Sequence, residues 1–247
     1  DVMLDCVAMK EGRGLMLVFG TGQYLNSDDF DDTTVQSLYG VWDWGPMWEK
    51  KEGDLTADQS KYLGTLNADR SLSNMSSGIG LLEQVVTHQT AEWLVSSANP
   101  IDYYNPVSDS GSHMGWVFDL SAVGAGERIL RDPTLRDGVV VFISTIPSDS
   151  PCAAGGSSVI YQFSGCSGGR VDDALFDVDG DGDLTEDDYI IIDGTKIYVQ
   201  GKKVDKILFD LLEISGEGYT QDSDGDINKE DLTEIRAGMF FWRHLGQ

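Results

Sequence analysis

The runs GVVVFIST (138–145) and SSVIYQF (157–163) are rich in β-branched and aromatic residues and are flanked by Gly, Asp, Pro and Ser. Val, Ile, Phe and Tyr suit a pleated, half-buried surface, and the flanking residues suit turns, so both runs read as strands. The pattern continues outward in LMLVFG (15–20), SLYGVWDW (37–44), GWVFDL (115–120) and ERIL (127–130). LLEQVVTHQTAEWLV (81–95) has mixed periodicity and is read as strands rather than one helix. YIIIDGTKIYVQG (189–201) predicts a hairpin turned at Asp193-Gly194. KEDLTEIRAG (229–238) predicts a short helix, with Asn228 as its cap and Gly238 as its stop. Many short strands with few helices make the class mainly β. A propeller blade takes four strands over about 40–50 residues, and the strong strands suffice for about two or three blades. The expectation is therefore the C-terminal part of a β-propeller: residues 1–170 as propeller-like β-region, and 171–247 carrying EF-hand-like calcium loops and closing strands.

The calcium reading rests on DVDGDGDLTEDD (177–188), in which seven of the twelve residues are acidic and none is basic. Such crowding is either a solvated acidic loop or the shell of a cation, and the spacing favours the cation. With Asp177 as position 1, the register gives Asp177, Asp179 and Asp181 at 1, 3 and 5, the Asp183 carbonyl at 7, Thr185 at 9 and Asp188 at 12. Gly182 supplies the sharp turn, and Leu184 at position 8 is the expected apolar anchor. Magnesium fits less well, since it takes fewer protein ligands and keeps its water. A weaker copy, TQDSDGDINKED (220–231), aligns Asp222, Asp224, the Asp226 carbonyl, Asn228 and Asp231 with positions 3, 5, 7, 9 and 12. Its position 1 is the neutral Thr220, so it should bind less tightly or act as an acidic cap without metal.

The chain has 247 residues, 40% of them apolar and 10% aromatic, which fits a folded globular body rather than an acidic disordered tail. A formal charge of −25 argues against binding nucleic acid or an anionic membrane surface. No apolar run reaches the roughly 18–20 residues a bilayer span requires. Asp1 in place of an initiator Met, with no signal-peptide pattern, gives the expectation of a mature or excised piece. Of Cys6, Cys152 and Cys166, the last two flank CAAGGSSVIYQFSGC and could close a short disulfide loop in an oxidising compartment; three free thiols are the alternative.

Catalytic constellations are not seen. His88, His113 and His244 lie in separate segments without metal-ligand spacing, and neither a G-x-S-x-G elbow nor a phosphate-cradling loop occurs. Acid pairs such as Asp28-Asp29 and Asp31-Asp32 read as a solvated loop, or as ligands of a further cation, rather than acid–base machinery. Tyr39, Trp42, Trp44 and Trp48 could form a carbohydrate platform, but alternating large residues on a strand more often fill a core. Paired calcium loops also suggest a dockerin-like module, against which the wide separation of Asp188 and Asp231 counts.

Several stretches, in order, resemble PilY-type type IV pilus biogenesis proteins. They are GRGLMLVFGTGQYLNSDDFDDTTVQSLYGVWDWG (12–45), GWVFDLS (115–121), GERILRDPTLRDGVVVFISTIPSDSPCAAGGSS (126–158), FDVDGDGDLTEDD (176–188) and FFWRHL (240–245). The resemblance implies a C-terminal propeller region of a large secreted, pilus-tip protein that binds calcium. It further implies a role in pilus extension, adhesion or surface sensing without catalysis. The partners it implies are pilins or minor pilins, the remainder of the parent protein, or a surface receptor or glycan.

Overall fold

The computed structural model describes residues 2–4, 15–23, 29, 31–43, 64–75, 78–105, 110–148, 155–214 and 217–230. Among these the chain is mainly β, with seventeen strands and no α-helix. A five-stranded sheet runs in the order β1 (Val2–Leu4), β2 (Leu15–Gly20), β3 (Gln36–Asp43), β7 (His113–Leu120) and β4 (Gly80–Gln84). Its pairs are antiparallel except β4 with β7, which is parallel.

A seven-stranded sheet is ordered β5 (Val86–Gln89), β6 (Trp93–Ser96), β14 (Gly201–Val204), β11 (Gly156–Ser164), β10 (Val139–Pro147) and β8 (Arg128–Ile129). Its seventh strand, β9 (Thr134–Arg136), also pairs with β10. The hairpin of β10 and β11 is the long spine, in register from Val139 opposite Ser164 to Pro147 opposite Gly156. Two smaller sheets follow: β12 (Ile190–Ile192) with β13 (Thr195–Ile197), and β15 (Leu208–Ile214), β16 (Glu217–Asp222) and β17 (Ile227–Glu230).

The alternation of side chains explains the layering. Along β10, Val140 and Phe142 enter one apolar cluster, while Val139, Val141 and Ile143 enter another. Along β11, Val159, Tyr161 and Phe163 join the first cluster and Ile160 the second. Successive residues on a strand point to opposite faces, so this sheet is buried on both sides, which is why its sequence reads as a continuous apolar run. The first cluster meets Met16, Val18, Trp42, Trp116 and Phe118 of the five-stranded sheet. Phe142 stacks on Tyr161 at 4.8 Å, and Phe118 lies 4.6 Å from Phe163. Trp116 packs so closely that a Cβ on Gly40 or Gly168 would collide with its indole. The second cluster meets Leu175, Phe176, Val199 and Leu208, from the chain that follows β11.

The strands expected at 15–20, 37–44, 115–120, 127–130, 138–145 and 157–163 are present, with small shifts at their ends, and 81–95 forms β4, β5 and β6. Asp193 (φ 50°) and Gly194 (φ 79°) turn the hairpin of β12 and β13 as expected. One expectation is corrected, and a second is met only in part. The helix with Asn228 as its cap gives way, over its described part, to β17, where Asn228 pairs with Thr220. Cross-strand bonding drives this, since the buried Thr220 hydroxyl donates to Glu230 Oε1 at 2.6 Å; residues 231–238 lie outside the described residues. The propeller expectation holds in its coarser part: the described strands make a mainly β chain of sheets of five, seven, two and three strands, with no closed propeller among the described residues. Insertion of β14 between β6 and β11 widens the second sheet across residue 170.

Candidate metal centre

Between β11 and β14 the chain leaves the seven-stranded sheet, crosses its outer face and returns. Leu175 and Phe176 are buried there, Phe176 lies 5.9 Å from Trp93, and Gln162 Nε2 donates to the Leu175 carbonyl at 2.7 Å. Val178 and Ile190 pack against the same cluster, so the acidic loop is pinned to the core at the start of its ligand register and just after its end. Leu184, the expected anchor, is only half-buried; Phe176 and Val178 take that part.

Inside the loop, backbone amides organise the carboxylates. Asp177 accepts from Gly180 N at 2.6 Å and Gly182 N at 2.9 Å. Asp179 accepts from Asp181 N at 3.1 Å, and Asp181 from Asp183 N at 2.9 Å. Asp188, 1% exposed, accepts from Val178 N at 2.6 Å and Thr185 N at 2.7 Å, which folds the end of the loop over its beginning. Gly182, at φ 90°, holds the left-handed turn that a side chain would strain.

Asp177, Asp179 and Asp188 consequently each bring one carboxylate oxygen within 4.8 Å of the others. Neither Asp179, Asp181 nor Asp188 is ion-paired among the described residues. The Asp181 amide draws the pKa of Asp179 down, but desolvation and the carboxylates of Asp181, Asp188 and Asp177 outweigh it and hold the group above its ordinary value. Three hard oxygen donors that repel one another suit a calcium ion. Asp181 lies outside the convergent trio, and the Thr185 hydroxyl accepts from Asp187 N at 3.2 Å.

The second acidic stretch folds differently. Asp222 and Ile227 belong to paired strands, leaving a tight turn at Ser223–Asp226. Asp222, 2% exposed, accepts on Oδ1 from the amides of Asp224 and Asp226, each at 3.0 Å. Its Oδ2 accepts from Lys206 Nζ at 2.8 Å and Asn228 Nδ2 at 3.2 Å. Lys206 Nζ also lies 2.9 Å from Asp224 and 3.7 Å from Asp226. The lysine, with help from Asn228 and the turn amides, lowers Asp222 to about 2; bonds to Asp222 and Asp224 in turn raise Lys206. Asp231 lies outside the described residues. Lys206 and the buried Glu230, 3.7 Å from Lys202, were missed when each motif was read alone; the signal was GKKVDK (201–206), three lysines close together in a strongly acidic chain.

Other candidates resolve into structure. Trp42 is fully buried, which removes it from any exposed carbohydrate platform; Trp44 and Trp48 lie outside the described residues. Glu127 is enclosed in the core, where Ser144 and Tyr161 hydroxyls donate to it at 2.6 and 2.8 Å and burial raises its pKa. Arg128, also buried, donates to the carbonyls of Gln23, Asp29, Asp32 and Gly126 and so fixes the path of the loop after β2. His113 Nδ1 accepts from the Asp102 amide at 2.9 Å. Cys166 is disulfide-bonded; Cys6 and Cys152 lie outside the described residues.

The class thus defined is a mainly β scaffold with one oxygen-rich loop mounted on its outer layer. No family model matches the chain. It is 29% identical over 171 residues to the type IV pilus biogenesis factor PilY1 of Pseudomonas aeruginosa strain PAO1, a match covering 67% of this chain and 14% of that protein. It is also 27% identical over 168 residues to a PilY1 homologue of Xylella fastidiosa, covering 66% of this chain and 9% of the relative. The crystal structure of the P. aeruginosa PilY1 C-terminal domain superposes with a TM-score of 0.65 at 21% identity, covering 94% of this chain and 43% of that one. The chain thus resembles PilY-type proteins over two thirds of its length in sequence, and the PilY1 C-terminal domain in fold. It spans only a small part of the curated relatives it matches.

Proposed function

We propose that this chain is a calcium-binding, non-catalytic part of a type IV pilus biogenesis factor, acting at the cell surface through partners. The observation that supports it most is the convergence of Asp177, Asp179 and Asp188 in a loop clamped to a fold like that of the PilY1 C-terminal domain. Asp181, the Asp183 carbonyl and Thr185 are the proposed further ligands. When bound, calcium supplies the charge that offsets the carboxylates; the chain's own residues hold the oxygens and tie them to the core through Phe176 and Val178. Ordering this segment keeps the outer face of the seven-stranded sheet covered and presents a defined surface to a partner. The partners are pilins or minor pilins and the remainder of the parent protein, with which the chain forms a larger propeller; a surface receptor or glycan is a further ligand of the whole. Export through the periplasm agrees with a disulfide at Cys166, for which Cys152 is the proposed mate.

A dockerin-like module is disfavoured, because residues 217–230 form a strand hairpin rather than a loop leading into a helix. Calorimetry with calcium on the wild type and on Asp179→Ala with Asp181→Ala tests the site. Heat lost in the variant supports it, and unchanged binding refutes it. The same substitutions in the parent gene test the role: altered piliation or twitching is expected, and normal pili with enzymatic turnover by the purified chain would overturn the reading.

A further inference from the structure

The acidic turn at 222–226 does not fit a metal ion as 177–188 does, because its acceptor atoms already have partners in the protein. A carboxylate has about four lone-pair positions. Those of Asp222 are taken by two backbone amides on Oδ1, and by Lys206 and Asn228 on Oδ2. The hydroxyl of Thr220, which would open the ligand register, is committed to Glu230 inside the protein. Asn228, which would stand ninth, points its amide hydrogens at Asp222. Asp222 therefore has its acceptor positions filled, and Thr220 and Asn228 are turned towards partners in the protein.

We infer that Lys206 is the resident cation of this turn, and that its ammonium and a divalent ion exclude one another there, so that the chain carries one calcium site and not two. The backbone explains how the lysine arrives. Leu208 is buried, its amide is held by Ser158 Oγ at 2.9 Å, and it stands opposite Asp222 across β15 and β16. That register sets Lys206 beside the acids of the turn, 2.8 to 3.7 Å from all three. A divalent ion among the same oxygens would meet a positive charge at contact distance and would have to displace it. The hairpin of β16 and β17 is thus ordered without calcium, while 177–188 depends on it; this second clause rests on the function proposed above, the first does not.

The test counts calcium ions by native mass spectrometry and calorimetry, with calcium chloride as the only ligand. Asp177→Asn with Asp179→Asn should bind none at concentrations that saturate the wild type. Lys206→Met should gain one weaker site over the wild type, lost again when Asp222→Asn is added. Calcium binding by the Asp177/Asp179 variant that disappears with Asp222→Asn would overturn the inference, as would a folded Lys206→Met that gains nothing. If Lys206→Met does not fold, amide shifts of the wild type decide: residues 222–228 should stay in place at calcium saturation, and movement there on the scale seen in 177–188 would overturn the inference. A wild type that binds no calcium sinks the reading of 177–188 alone, and the gain in Lys206→Met still judges the lysine.

Discussion

Residues 179–183 and 222–226 spell the same pattern, D-x-D-G-D, and both place their glycine at φ 90°. The two turns nevertheless settle their charge in different ways. In the first, carboxylates are oriented by amides of their own loop, and three of them converge without a lysine on Asp179 or Asp188. In the second, a lysine two residues ahead of the neighbouring strand closes on all three acids. The five-residue pattern fixes the backbone turn; the element packed beside it decides whether a lysine reaches the carboxylates.

The largest expected effect comes from the anchor of the first loop. Phe176→Ala should cost about 3–5 kcal/mol, the range for truncating a buried aromatic. It should also weaken calcium binding while leaving the amide shifts of 222–228 in place, as denaturant titration and NMR would show. Equal disturbance of both turns would break the contrast.

Next comes calcium itself. At a hundredfold excess over the dissociation constant it should stabilise the wild type by about 2.7 kcal/mol, or roughly 5–10 °C in melting temperature for a chain of this size. Scanning calorimetry should find that gain absent in Asp188→Asn and retained when Asp222→Asn is the change. A melting point indifferent to chelation would leave the first loop no different from the second.

The turns should also answer acid with opposite sign. Asp222 is lowered to about 2 from an ordinary 3.8, chiefly by Lys206, so its contribution is full above that ordinary value and is lost as pH falls from about 4 to about 2. Asp179 is raised, so in calcium-free buffer its ionised form burdens the fold at neutral pH and protonation relieves it. Asp179→Asn should therefore exceed the calcium-free wild type in stability at pH 7 and lose that lead on acidification, whereas Asp222→Asn should fall below it at pH 7. Acid-unfolding curves of the two variants check the signs.

The smallest effect concerns Lys196, whose ammonium sits 4.3 Å above the Tyr189 ring and bonds the Glu186 carbonyl at the end of the first loop. Lys196→Gln should cost about 0.5–1 kcal/mol by denaturant titration, the range of an exposed cation–π contact. A comparable change in the shifts of 222–228 would show that the turns are coupled.

The strands and the convergence of Asp177, Asp179 and Asp188 were legible because their signals are local. β-branched runs, flanking glycines and the Asp193-Gly194 turn each depend on a few neighbouring residues. Partner choice was not legible: β14 lies between β6 and β11, and β4 runs parallel to β7, through contacts that no window of residues contains. Leu184 holds the anchor position of the motif register, whereas burial of Phe176 depends on Trp93 in a distant strand. Lys206 was missed for the same reason, as was the Thr220–Glu230 bond that turns a nominal loop and helix cap into a hairpin.

β11 and β14 are antiparallel neighbours, so everything from residue 165 to residue 200, the acidic loop included, is one connection between two adjoining strands. In modular terms that connection is a cassette: its exchange leaves the order of the sheet intact, since no other strand pairing of the large sheets threads through it. A replacement has one obligation, because excision would strip Leu175, Phe176 and Val199 from Trp93, Val141 and Ile160 and turn that face of the sheet to water. Any transplanted loop must carry its own apolar underside, and a cassette without the acidic register that does so would separate the architecture of the fold from the chemistry of the loop.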